Sequence, residues 1–283
     1  MSHTAAPTEG RDATGRQTAP AGVATDATVE ELIEEEIRQA GRPAGRWHAE
    51  YLGRAHHALV EAVLRSVKTP GPRVLKTDLW NECLGGTRDV LGNLDPQGGH
   101  RLFALDRSLA VCLRSRARVP GVRVVQADIA ALPFRPRSFD AVLDLSTLDH
   151  VTEADSSRAI GEYRRVLRDR GVLLLLFWQR NLAVRLRVAL KRLLKRREKP
   201  DQRYFTRAAV RADVADGFAI RHEFATGLLL LPPHRHTGTL LSLLPVGRMQ
   251  RLVQRLVGLE LSGRGRRWLV HFAGLYGIVA IRR

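Results

Sequence analysis

Between Arg123 and Val151 the chain reads RVVQADIAALPFRPRSFDAVLDLSTLDHV. The first part is a short strand with an acid, Asp128, just beyond its tip. The second is an apolar strand, Phe139 to Leu145, that opens onto a loop carrying Ser146, Thr147, Asp149 and His150. Strands that end in acid-bearing loops, separated by helices, are the pattern of an open parallel sheet whose ligand crevice lies at the carboxyl ends of its strands.

The neighbouring sequence keeps to that pattern. Arg73 to Leu79, Arg101 to Leu105, Val122 to Val125 and Phe139 to Leu145 read as four strands, and Glu153 to Arg168 as a helix. Gly171 to Trp178 is apolar throughout, as a strand buried on both faces should be. Alternation with short connections predicts an α/β fold with a Rossmann-like, doubly wound sheet. Two further strands, Phe218 to Phe224 and Gly277 to Ile281, would complete seven, mostly parallel, with a helical insertion after the fifth. In front lie a low-hydrophobicity tail over 1–27 and a helical unit over 28–70. Thr28 and Glu31 form a candidate capping box at its start, and a second helix runs from about Trp47 to Val67. The sheet core is expected over 71–180, the insertion and sixth strand over 181–235, and a closing helix and strand over 236–283.

Charge divides the chain unevenly. Residues 1–40 hold three Arg against eight acids, whereas residues 180–283 hold 22 Lys and Arg against six acids. Leu182, Leu186, Ala189, Leu190 and Leu193 fall on one helical face between Asn181 and Lys199, opposite a row of Arg and Lys. Such a basic amphipathic helix suits an anionic surface. Only five of the 46 basic residues are Lys, so a coding bias toward Arg explains the same excess without a partner. Two cysteines without metal-type spacing, and no apolar run of roughly 20 residues, point to a reducing, cytoplasmic setting, peripheral to a membrane at most. His234 and His236 lack the companion ligands of a metal site, and there is no Walker loop or nucleophile elbow.

Several segments in order carry a family likeness. Phe134 with Ser138-Phe139-Asp140, then Leu148-Asp149-His150, then Glu162 to Leu167 before strand five, resemble class I S-adenosylmethionine (SAM)-dependent methyltransferases of the type 11 kind. Leu75-Lys76-Thr77-Asp78 and Ser146-Thr147-Leu148-Asp149-His150 resemble a subgroup with LKTD and STLDH in these places. The usual Gly-x-Gly-x-Gly after strand one is missing, and Gly85-Gly86 come only later. The resemblance implies SAM as cofactor. It implies contacts from Lys76, Asp78 and Ser146, a ribose acid at Asp106, and an adenine wall at Asp128 and Ile129.

Methyl transfer from a sulfonium is an in-line displacement in which positioning dominates and proton removal is secondary. His150 and Asp149 are the candidate bases, and Asn181 is a candidate either to orient an acceptor or to cap the next helix. The resemblance implies a small-molecule, lipid-linked or glycan-type acceptor. The competing reading is a non-catalytic protein on the same scaffold, using its basic C-terminal third on anionic membrane or nucleic acid. Few aromatics lie among those Arg residues, which disfavours base stacking and hence nucleic acid.

Overall fold

The structure is a computed structural model that describes residues 26–40, 43–94, 99–182, 184–186, 189, 203–227, 245–261 and 266–283. Its elements in chain order are α1 (Asp26–Ala40), α2 (Pro43–Ser66), β1 (Arg73–Lys76), α3 (Trp80–Leu84), β2 (Arg101–Asp106), α4 (Leu109–Arg118), β3 (Arg123–Gln126), β4 (Phe139–Leu145), α5 (Glu153–Val166) and β5 (Leu167–Trp178). Then follow α6 (Arg207–Ala215), β6 (Phe218–Thr226), α7 (Val246–Leu261), α8 (Arg266–Phe272) and β7 (Leu275–Arg282). Seven strands form one sheet in the order β3-β2-β1-β4-β5-β7-β6, parallel except for β7, which runs against both its neighbours.

The sheet buries both faces, which explains its apolar strands. All seven residues of β4 are buried between β1 and β5. Past an irregularity between Phe139 and Ala141 its side chains alternate between two cores: Ala141, Leu143 and Leu145 face α1, α2, α4 and α7, while Val142, and Phe139 before the irregularity, face α5, α6 and α8. Strand order reverses between β1 and β4, so the crevice of a doubly wound sheet opens at their carboxyl ends. Ser108, Thr152 and Thr206 each accept a hydrogen bond from the backbone N–H three residues on, capping α4, α5 and α6.

Several boundaries differ from the sequence reading. The first strand is shorter than read and stops at Lys76; the Thr77 N–H makes its last ladder bond, to the Leu143 carbonyl at 3.1 Å. Helix α1 already includes Asp26, so Thr28 sits in its first turn rather than at the cap. In the helical stretch after β5, Val184 points inward, while Leu182 and Leu186 are 53% and 62% exposed, the reverse of the face that periodicity assigned. The tail before residue 26, most of the stretch over 187–199 and His234–His236 lie outside the described residues. Helix α8 has no counterpart in the sequence reading.

Candidate functional site

The mouth above β1, β2 and β4 is built from groups that these strand ends cannot hide. Lys76 closes β1 with no exposed surface, and its ammonium donates to the Asp78 carbonyl (2.6 Å), the Asp78 carboxylate (3.0 Å) and Glu82 Oε2 (2.9 Å). An ammonium has three protons, so all of them are committed. Burial opposes the Lys76 charge, yet Asp78 and Glu82 overcome it and hold its pKa above the ordinary lysine range. Burial raises the Glu82 carboxyl as well, against the pull of Lys76. Lys76 therefore shapes the loop from beneath and holds Asp78 at the mouth.

The LKTD and STLDH segments meet. The Thr77 and Thr147 hydroxyls are 2.8 Å apart. The Thr147 N–H donates to Asp144 Oδ1 at 2.8 Å, and the Tyr163 hydroxyl donates to Asp144 Oδ2 at 2.7 Å. Burial pushes the Asp144 carboxyl up to about 6, although both of those donors pull it down. Ser146 takes a φ of +74°, a left-handed conformation rare for a residue with a Cβ, as the chain turns off β4. Its N–H is held by the Leu176 carbonyl at 2.8 Å. Sequence reasoning passed over Asp144, Tyr163 and Glu82. The available signal was an acid inside an otherwise apolar strand, since such an acid needs buried partners.

Asp106, at the end of β2, is fixed from both sides. Its Oδ2 accepts from the Leu79 N–H at 3.1 Å and its Oδ1 from the Ser108 N–H at 3.0 Å. Burial raises its pKa against these two donors. Each oxygen keeps a second lone pair for a ligand hydroxyl. Asp128 accepts from the Ala130 N–H at 2.8 Å and faces the Arg107 guanidinium at 3.5 Å, half-exposed, while Ile129 is buried beneath it against Leu75, Phe103 and Leu105. Where a glycine loop would run, the chain instead makes α3 and reaches left-handed Gly85 and Gly86 (φ +75° and +71°) after it.

The two candidate bases part company. Asp149 is fully buried in the short 3-10 turn Leu148–His150, and its Oδ1 accepts from the Trp178 N–H at 2.9 Å. Burial raises its pKa well above the carboxylate range, and hydrogen bonds from Trp178 and Ser146 offset this only in part. Asp149 thus pins the turn to β5 through its bond from the Trp178 N–H. His150 is exposed on the same turn. Asn181 caps: its Oδ1 accepts from the Val184 N–H at 2.9 Å and its amide donates to the Ala273 carbonyl at 2.7 Å.

A strip of acids at the strand ends, with hydroxyl acceptors fixed at Asp106, is chemistry that fits a cationic nucleoside. Residues 83–175 match a family described as a methyltransferase domain, and the match begins within α3, after the LKTD segment. The chain is 37% identical over 78 residues to a protein of Encephalitozoon cuniculi (strain GB-M1) named as a methyltransferase, covering 27% of this chain and 37% of that one. It is 34% identical over 74 residues to a protein of Mycobacterium tuberculosis named as a SAM-dependent methyltransferase, covering 26% of each. The matched segments thus span well under half of these relatives. Among solved structures, magnesium protoporphyrin IX methyltransferase from Synechocystis PCC 6803, with bound S-adenosylhomocysteine (SAH), has a TM-score of 0.58 at 15% identity, covering 90% of this chain and 95% of that one. Geranyl diphosphate C-methyltransferase from Streptomyces coelicolor A3(2) gives 0.52 at 13%, covering 80% and 78%. The cyclase SpnF gives 0.51 at 16%, covering 80% of each. The chain shares its Rossmann-like, doubly wound fold with these structures, and its residues 83–175 match the methyltransferase-domain model.

Proposed function

We propose that this chain transfers a methyl group from SAM to a small-molecule acceptor. The observation that carries the reading is Asp106, a carboxylate held by one N–H from the first loop and one from the α4 cap, beside the point where the strand order reverses. Asp106 would take the ribose hydroxyls, Asp128 and Ile129 the adenine, and Asp78 with Ser146 the amino-acid end, with Lys76 holding Asp78 in place. SAM, when bound, supplies an electrophilic methyl group open to in-line attack. The chain's part is to orient the acceptor and, where the acceptor carries a proton, to receive it at the His150 imidazole. Relatives of this fold named for small acceptors, geranyl diphosphate and a magnesium porphyrin, support that acceptor class.

The reading extends to a peripheral anionic membrane contact and a lipid-linked acceptor. Trp268 is 76% exposed with Phe272 one turn on, and Leu182 and Leu186 are bared near the basic residues Arg180 and Arg185. Aromatic and apolar side chains beside cations are what an anionic bilayer interface takes up. Among the described residues no helix is long and apolar enough to cross a membrane.

Fold alone does not assign chemistry, and a cyclase among the neighbours keeps a non-methylating reading in view. Calorimetric titration of SAH into the full chain decides between them. Binding that Asp106→Ala weakens at least tenfold is expected; no binding up to millimolar SAH would remove the methyl-transfer reading.

A further inference from the structure

A concavity of about 580 Å³ is lined by residues of α6, α8, the start of β7 and the segment after β5. Three guanidinium groups line it. Arg180 follows β5, and Arg207 and Arg211 lie one turn apart on α6. Arg211 is neutralised by Glu223, whose two oxygens it meets at 2.7 and 2.6 Å and to which the Tyr276 hydroxyl also donates at 2.8 Å. Arg207 lies over the Tyr276 ring, 5.6 Å from its centroid. Among the described residues no carboxylate pairs with Arg180 or Arg207, in contrast to Arg211. The backbone N–H groups of Arg207 and Ala208, in the first turn of α6, precede any intrahelical acceptor and add donors of the same sense. Val270 and the Tyr276 ring supply an apolar wall.

The cavity is stitched to the reacting loop. The Arg203 N–H donates to the Asp149 carbonyl at 3.0 Å, and the Phe205 N–H to the Trp178 carbonyl at 2.9 Å. The Arg180 N–H returns to the Phe205 carbonyl at 2.8 Å. Thr206, the next residue, caps α6 at the cavity's edge. A short run of backbone therefore joins the turn that carries His150 to the helix that carries Arg207.

We propose that this cavity binds the anionic group, phosphate or carboxylate, of an amphiphilic acceptor whose apolar part lies against Val270 and Tyr276. The inference rests on the methyl-transfer reading and names the acceptor's class. Guanidinium forks match both anions.

The test is calorimetric titration of octyl phosphate, octanoate and inorganic phosphate into the SAH-saturated full chain. The double variant Arg180→Gln/Arg207→Gln, and separately Ala208→Glu, are compared with the unaltered protein. At least one of the two amphiphiles is expected to bind and to lose at least tenfold in affinity in both variants, with SAH affinity unchanged within about twofold as the sign of an intact fold. Whichever amphiphile binds more tightly names the anion. No amphiphile binding to the unaltered chain, or equal binding in the variants, would overturn the proposal. Inorganic phosphate binding as tightly as octyl phosphate would make this a free-anion site and overturn the acceptor assignment. Failure of SAH to bind reports on the methyl-transfer reading, and the same titrations repeated without SAH report on the cavity.

Discussion

At the scale of single residues, the burial of two acids, Asp149 and Asp144, separates roles that composition leaves alike. Burial raises the Asp149 pKa and its Oδ1 accepts from the Trp178 N–H, a bond that an asparagine carbonyl keeps, so Asp149→Asn should leave kcat within about threefold. His150→Ala should lower kcat about a hundredfold for an acceptor that must lose a proton, with SAH affinity unchanged. Steady-state kinetics with calorimetry checks both; loss of activity in the Asn variant alone would return the base's role to Asp149. Asp144 carries a pH signature. Its folded pKa, about 6, lies above the unfolded value of about 3.9, so its contribution to stability is whole below about pH 4. As the pH rises to about 6 the unfolded chain releases this proton first, and about 3 kcal/mol of stability is lost. Asp144→Asn does not titrate. Urea denaturation should therefore show the variant gaining about 3 kcal/mol relative to the unaltered chain between pH 4 and pH 7, and a constant difference would refute the assignment.

Between elements, one polar latch holds the N-terminal helices over the sheet. The Tyr51 hydroxyl on α2 donates to Glu260 on α7 at 2.5–2.6 Å. The Thr226 hydroxyl at the end of β6 reaches the same carboxylate at 2.6 Å, and the Gly227 N–H approaches it at 3.1 Å. Burial, then the Glu260 charge, raises the Tyr51 pKa far above the phenol range, so the donor proton stays in place. Tyr51→Phe should cost about 1–3 kcal/mol by leaving buried groups short of a partner. Hydrogen exchange should then quicken across Val246–Leu261 before it does in the sheet; uniform change would argue against a local latch. A second element-level test lies where β6 and β7 oppose Phe224 to Gly277. A Cβ at Gly277 would enter the Phe224 ring, so Gly277→Ala should destabilise by about 1–3 kcal/mol in thermal unfolding.

For the whole molecule, the charge excess of residues 180–283 meets exposed Trp268, Phe272, Leu182 and Leu186. Co-sedimentation with vesicles containing anionic lipid should retain the chain at low salt, lose it at higher salt, and weaken with Trp268→Ala even at low salt. Binding insensitive to Trp268 would leave only a diffuse positive charge, as a coding bias toward Arg would give.

The sequence by itself determined the alternation of strands and helices, the all-apolar β5 and the acids at the tips of β2 and β3. These follow from burial on two faces and from the need to end each strand in something polar. It also pointed to the LKTD and STLDH segments as a pair. Only the tertiary structure decided what those segments do, because their meaning lies in contacts between residues far apart in the chain. The Thr77–Thr147 contact joins residues 70 positions apart. Burial, which no local pattern reports, leaves the Lys76 ammonium to spend its protons on Asp78 and Glu82 and raises the Asp149 pKa. Periodicity gave the helix after β5 an apolar face but not its direction, and packing turned Val184 in and Leu182 out. The arginine-lined cavity comes from the ends of β5, α6, α8 and β7, which meet only once the chain has folded.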